Sequence, residues 1–540
     1  MIELVVFTKS GGPLTKHIKL GSNGSIVSDG SACTMPRGKA RRARITGVAE
    51  LATTIAQLNS SQAIALGALR ADLADEVVVV TKDKLNGAAN VIARTNDAIS
   101  YRTDEPAAVL LDYDTKGIPA EIADRLASLG GFWPALVSVL PALREVAHVV
   151  RRSTSAGLLR SDTGAEIAGS NGLHSFVIAA DGTDAERFLK TLHERCWLHG
   201  FGWMMVGRAG QLLERSIVDR MVGAPERLVF EGPPVLEPPL AQDKESRRPV
   251  ITDGKILDTA ACPPLTVIEK ATLDKLKAQA SQRLLPERNR ARDRFVDEQS
   301  DKLAKRTGMS KEEAARVVQS QCRGVLYPDV VLVLDDRTIT VASVLADPAN
   351  YEGHTLADPL EGVEYGRATA KILRRADGRP WIRSFAHGLT NYTLKYDARA
   401  VRAAIAKATN PIDTFVELAL LADLDEVETK QIIDELAKQT GIGVRIITAK
   451  LKSNTEAQAR QRAKDIRERR LAENSDRRPN VDLPADDAPW LPQMGAIVEV
   501  LKLAPQPRQP RRSFNGIGAV KRRCCVPNSH AFITGNEEDC

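Results

Sequence analysis

Apolar residues are spread unevenly along the 540-residue chain, and their spacing divides it into segments. Over the first 110 residues or so, short apolar runs such as "VVFT" (5–8) and "EVVVVT" (76–81) predict strands. Between them "VAELATTIAQLNSSQAIALGAL" (48–69) predicts a helical stretch. Mixed strand and helix continues from about 107 to 240 and closes in the proline-rich "EGPPVLEPPLAQ". Within it, Thr183 and Glu186 read as a capping box opening a helix that Gly200 ends, with Phe188, Leu189, Leu192 and Cys196 as its apolar stripe.

Residues 265–325 are highly charged and helical in period, with a break at Pro286. They predict a solvated helical connector whose Arg288, Arg290, Arg292 and Arg294 face water or phosphates. In "YPDVVLVLDDRTITVASVL" (327–345) β-branched alternation returns, predicting a small strand-rich module over 326–410. There His387 sits among Trp381, Ile382, Phe385 and Tyr392, as in a packed hairpin. Helices resume over 411–475 and end in a basic run, and 476–540, with an excess of Pro, Arg and Asn, is expected to lack a compact core. The expected class is α+β, with a mixed-sheet domain flanked by helices over 1–264.

Composition narrows the function. Charged residues at 27% and apolar ones at 43% describe a soluble globular protein, while aromatics at 4% argue against an extended base-stacking platform. The formal charge of +6 is modest for this length, so the placement of the cations matters more than their sum. No run reaches the roughly 18 apolar residues of a membrane span. The N-terminus lacks the order of a secretion signal, so a cytoplasmic location is expected. Seven cysteines without a C-x-x-C pair predict free thiols rather than disulfides or a structural zinc. In "HERCWLH", His193, Cys196 and His199 recur at three-residue steps, and packing on a helix explains them better than a metal site.

"AAVLLDYDTKG" (107–117) is an apolar strand ending in two carboxylates one residue apart. Residues i and i+2 of a strand share a face, so Asp112 and Asp114 project together and repel unless a cation lies between them. Oxygen ligands of this kind suit Mg²⁺ or Mn²⁺. Downstream, "GSNGLHSFVIAADG" (169–182) sets the small residues Ser170, Asn171 and Gly172 before a strand beginning near His174, an imidazole able to donate to a phosphate. In "WMMVGRAGQLLERSIVDRMVGAPERLVFEGPP" (203–234), a hairpin around Gly207–Gly210 leads to Asp219, a third carboxylate, with Arg227 nearby to meet a triphosphate.

Together "LDYD", "GSNGLH" and "SIVD" resemble the three-part signature of the archaeo-eukaryotic primase superfamily, in particular the primase-polymerase domains of plasmids, phages and other mobile elements. The family's small-x-His element has Gly172 two before His174 here, with a serine only at Ser170. Residues 357–398, and the N-terminal "FTKSGGPLTKHIKL" and "SDGSACTMPRGKARRARI", also resemble mobile-element primase-helicases. The resemblance implies template-dependent nucleotidyl transfer in DNA replication: Asp112, Asp114 and Asp219 ligating Mg²⁺ or Mn²⁺, His174 with Ser170 and Arg227 on the nucleoside triphosphate, and single-stranded DNA as template. Arg37, Lys39, Arg41, Arg42 and Arg44 form a run suited to template phosphates, or equally to solvent. No G-x-x-x-x-G-K-[ST] occurs, so a primase-helicase truncated before its helicase is expected, the helicase being supplied separately. The alternatives are a catalytically inactive nucleic-acid-binding remnant and a nucleotide-sugar transferase, whose D-x-D also holds Mn²⁺; the latter gives no reason for His174 and Asp219.

Overall fold

A computed structural model describes residues 1–475 apart from 22–23, 86, 168–171, 335–336, 364, 376 and 386–390. Ser170, Asn171, His387, Cys524, Cys525, Cys540 and the expected tail therefore lie outside the described residues. The chain is α+β and divides into two units, Met1–Ala400 and the residues from Val401 onward.

The first unit begins with a five-stranded sheet of β1 (Ile2–Lys9), β2 (Arg37–Ile45), β3 (Gln62–Ala65), β4 (Glu76–Val80) and β5 (Val91–Ala93), in the order β3-β1-β2-β4-β5. Central β1 is buried on both faces, Leu4 and Val6 on one and Val5 and Phe7 on the other, which is why it reads as a continuous apolar run. Helix α1 (Val48–Ala56) covers part of one face with Val48, Leu51, Ala52 and Ile55. The helical stretch expected over 48–69 is thus too long. Asn59 Oδ1 accepts from the Ser61 N–H at 2.9 Å, an Asx turn that competes with helix, and the chain turns back as β3 beside β1.

A second sheet joins β6 (Ala107–Tyr113), β7 (His148–Arg152), β8 (Leu173–Ala179) and β11 (Val250–Thr252) in the antiparallel order β6-β8-β7-β11. Helix α2 (Ala120–Ser128) and α3 (Phe132–Val139) follow β6; α4 (Ala185–Leu198) follows β8 and buries Phe188, Leu189, Leu192 and Cys196 as expected. Its start differs from the expected capping box. Asp181 instead accepts from the Thr183 N–H at 2.8 Å and caps a short 3₁₀ turn, so the helix begins at Ala185. One apolar core runs from Leu4 and Val6 through Leu51 and Ile55 to Leu110, Phe176 and Phe188, fixing both sheets around α1. A hairpin of β9 (Gly202–Val206) and β10 (Leu212–Ser216) follows α4.

The charged segment is not a solvated connector throughout. Helix α5 (Val267–Arg283) is tied back to α4 and β10 by Arg195–Glu269 at 3.3 Å and Lys277–Glu214 at 2.7 Å. Pro286 lies in the first turn of a new helix, α6 (Leu285–Thr307), where its missing N–H costs nothing. Helix α6 buries Ala291, Phe295 and Leu303, and α7 (Lys311–Cys322) buries Ala314, Val317 and Val318. Both helices belong to the core of the following module, whose sheet of β12 (Val325–Leu326), β13 (Thr355–Leu356), β14 (Ala370–Arg374), β15 (Pro380–Ser384) and β16 (Asn391–Leu394) contributes Ile372, Ile382 and Tyr392. A single apolar face per helix sufficed, and the surrounding charge hid it from sequence periodicity. The β9–β10 hairpin reaches into this module: Ala209 joins its core, Gln211 donates to Glu361, and Arg288 Nε donates to the Gly210 carbonyl at 3.1 Å.

The second unit contains α8 (Pro411–Ala419), α9 (Glu426–Thr440) and α10 (Val444–Ser475), matching the helical expectation for 411–475. Ile412, Phe415, Ile432, Ile433, Leu436 and Ile447 are buried. Among the described residues no helix is long and apolar enough to cross a membrane. Cys33, Cys196, Cys262 and Cys322 are free thiols.

Candidate functional site

Strand β6 is buried through Leu111 and then emerges: Asp112 and Tyr113 are half-buried and Asp114 is exposed. Tyr113 stacks on Phe132 at 4.8 Å between ring centroids, anchoring the strand end to α3. Antiparallel register sets Asp112 directly opposite His174 on β8, with His174 Nε2 3.7 Å from Asp112 Oδ1. From the other side, the Asp219 N–H donates to the Asp112 carbonyl at 3.0 Å. Segments more than a hundred residues apart thus meet at one strand end. Asp114 and Asp219 line one small cleft with His193, Glu214, Arg215, Ser216 and Val218.

The electrostatics follow from this crowding. Burial is the main cause that raises the Asp112 carboxyl above its usual pKa; Asp219 and Asp114 add repulsion, against the opposing pull of His174 and Arg227. Arg227 is exposed and donates to the Met221 carbonyl at 2.8 Å, with its charge felt at Asp112.

Sequence reading missed the residue behind His174. Glu231 is wholly buried and accepts from His174 Nδ1; Arg151 Nη1 binds its Oε2 at 3.0 Å, and Arg247 Nη2 lies 3.9 Å away. Burial disfavours both charged partners, yet their mutual attraction outweighs it: the His174 pKa is raised and that of Glu231 is lowered, with the arginines assisting Glu231. Glu231 follows the apolar trio Leu228, Val229 and Phe230 in "LVFEGPP", and an acidic residue closing an apolar segment was the available signal.

His193 and Glu214 were also missed as cleft residues. His193 Nε2 lies 3.0 Å from Glu214 Oε1, and its Nδ1 lies 3.0 Å from the Val218 carbonyl. Of the "HERCWLH" trio, His193 and Cys196 are buried on α4, whereas His199 is exposed just past the end of the helix. Glu214 also pairs with Lys277 at 2.7 Å and Arg220 at 3.3 Å. Burial opposes its ionisation, but hydrogen bonds from His193 and Lys277 outweigh it and bring its pKa from 4.5 down to about 2. A depressed carboxyl pKa stabilises the fold above the unfolded value and loses that contribution as pH falls through the folded one. Wild type should therefore exceed Glu214→Gln by about 3 kcal/mol at pH 7 in urea unfolding, with the gap closing from about pH 4.5 towards 2. A gap independent of pH would refute this.

The basic run splits by strand alternation. Arg37, Lys39, Arg41 and Arg44 are exposed, whereas Arg42 is only 6% exposed. Arg42 bonds Glu3 and the carbonyls of Leu69, Arg70 and Leu73, so its expected role on template phosphates is corrected to a structural one. Arg44 pairs with Asp75 at 2.9 Å. Arg42→Met should cost about 3 kcal/mol in urea unfolding, because Glu3 is left as a buried charge with a reduced set of partners. Unchanged stability would contradict that role.

Carboxylate oxygens are hard donors of the kind Mg²⁺ and Mn²⁺ take, and Asp112, held above its usual pKa chiefly by burial, is the one of the three on which Asp114 and Asp219 both act. Asp114 Oδ1 accepts from the Lys116 N–H at 3.0 Å and Asp219 Oδ1 from the Met221 N–H at 2.8 Å. Among the described residues no group of three or more His, Cys, Asp or Glu side chains is gathered as ligands for one ion. No family model, no curated protein and no solved structure matches this chain.

Proposed function

We propose that this chain is a metal-dependent nucleotidyltransferase of the primase-polymerase kind, extending a strand on a single-stranded DNA template. One observation carries the reading: Asp112 faces His174 in strand register while the Asp219 N–H bonds the Asp112 carbonyl. The resemblance in sequence of these three elements to the primase superfamily supports it. Asp112, Asp114 and Asp219 would hold Mg²⁺ or Mn²⁺. When bound, such ions neutralise phosphate charge and make a hydroxyl more nucleophilic.

The chain's own residues bind and orient. Glu231 accepts from His174 Nδ1 and so turns Nε2 toward the Asp112 side, where it can donate to a triphosphate oxygen. Arg151 and Arg247 hold Glu231 in place. Arg227, exposed near Asp112, adds a cation for the same phosphates. Positioning and charge neutralisation are the main demands of phosphoryl chemistry.

A second reading, a nucleic-acid-binding remnant without chemistry, is favoured by the lack of a gathered ligand group among the described residues. Labelled dNTPs or NTPs, a single-stranded template and Mn²⁺ separate the two. Incorporation that depends on template supports the transferase. Binding of the template with no incorporation under any of these conditions supports the remnant.

A further inference from the structure

Arg37, Lys39 and Arg41 alternate along β2 with buried Gly38, Ala40 and Arg42, so all three project from one face of the first sheet. Alternate residues of a strand repeat at about 6.7 Å, close to the phosphate repeat of an extended single strand. On the same face Lys39 lies opposite Thr8 and Arg41 opposite Val6, and Thr8 is in turn opposite Gln62 on β3. Arg41, Thr54, Gln57, Leu58 and Gln62 line a groove beside α1. Glu76, opposite Arg41, is paired with Lys39 at 2.7 Å, which leaves the row net positive.

The groove is joined to the candidate site by a short chain of bonds. Two residues before Gln57, the Ile55 carbonyl accepts from Arg151 Nη1 at 2.8 Å; the same nitrogen binds Glu231, which holds His174.

We propose that this face is a track for single-stranded nucleic acid, leading the template to the carboxylates; as the template's path it rests on the transferase reading above. A single row of cations matches one backbone. Gln57 beside it offers an amide donor and acceptor to base edges that only an unpaired strand exposes, while Thr54 already donates to the Glu50 carbonyl and Gln62 bonds Thr8 and Asn59. No aromatic side chain lines the groove, so affinity comes from phosphate contacts rather than stacking and falls steeply with salt.

The test is fluorescence anisotropy of a labelled single-stranded oligonucleotide on the full chain, with the triple variant Arg37→Ser, Lys39→Ser, Arg41→Ser. Loss of three phosphate contacts lowers the log–log salt slope by about 2 and weakens binding about a hundredfold at 0.1 M salt. A control removes three exposed cations of α6, with Arg290→Ser, Arg294→Ser and Lys302→Ser. Loss confined to the track variant supports the proposal. Unchanged binding, an equal loss in the control, or equally tight binding of duplex would overturn it. Asp112→Ala keeps the binding in either case; incorporation by Asp112→Ala at the wild-type rate overturns the transferase reading and leaves the track standing.

Discussion

Asp112→Ala should reduce template-dependent incorporation by about a thousandfold while raising, or at least preserving, resistance to urea. In the proposed transferase the rate loss would follow from removing one ligand of a phosphate-neutralising cation: such charge stabilisation is worth several kcal/mol, and about 4 kcal/mol is a factor of a thousand. The stability change has the opposite sign because Asp112 is destabilised as an anion by burial and by Asp219 and Asp114. Asp112→Asn should show the same divergence with less change in shape. Parallel loss of activity and stability would mean that Asp112 is an ordinary structural carboxylate.

Glu231→Leu should destabilise the chain by about 3–5 kcal/mol, since Arg151 and Arg247 would remain buried beside a hydrocarbon. Both arginines are less than 10% exposed, so water cannot take the carboxylate's place. Glu231→Gln keeps the volume and one acceptor, and isolates the effect on His174. Its stability loss should be smaller, yet the KM for nucleotide should rise, because His174 Nδ1 no longer faces an anion. A wild-type KM in Glu231→Gln would leave Glu231 a packing residue only.

Much of this arrangement was legible in the sequence, but unevenly. Asp112 was visible as the acidic end of an apolar strand, but the strand stops at Tyr113, so the alternation expected to carry Asp114 onto the same face does not reach it. Their neighbours His174 and Asp219 were visible only through resemblance, since nothing local says that β8 pairs with β6 in the register setting Asp112 against His174. Glu231 escaped because its meaning lies wholly in long-range partners, Arg151 eighty residues before it and Arg247 sixteen after. Arg42 misled for a related reason: a run of cations looks uniform along the chain, and β2 sends alternate members to opposite faces. The charged helices α6 and α7 were misjudged because three or four buried residues each, such as Phe295 and Val317, are enough to build a core.

The β9–β10 hairpin works as a beam held at both ends. Its tip is seated by Ala209, Gln211 and Gly210 in the module beyond residue 285, and its root carries Ser216 and Val218 towards Asp219. A cut anywhere between 265 and 285 would therefore not release two self-sufficient pieces. The fragment bearing Asp219 would lose the seat of its own arm, so the seam between the modules is not a place where this chain can be divided and keep its carboxylates in register.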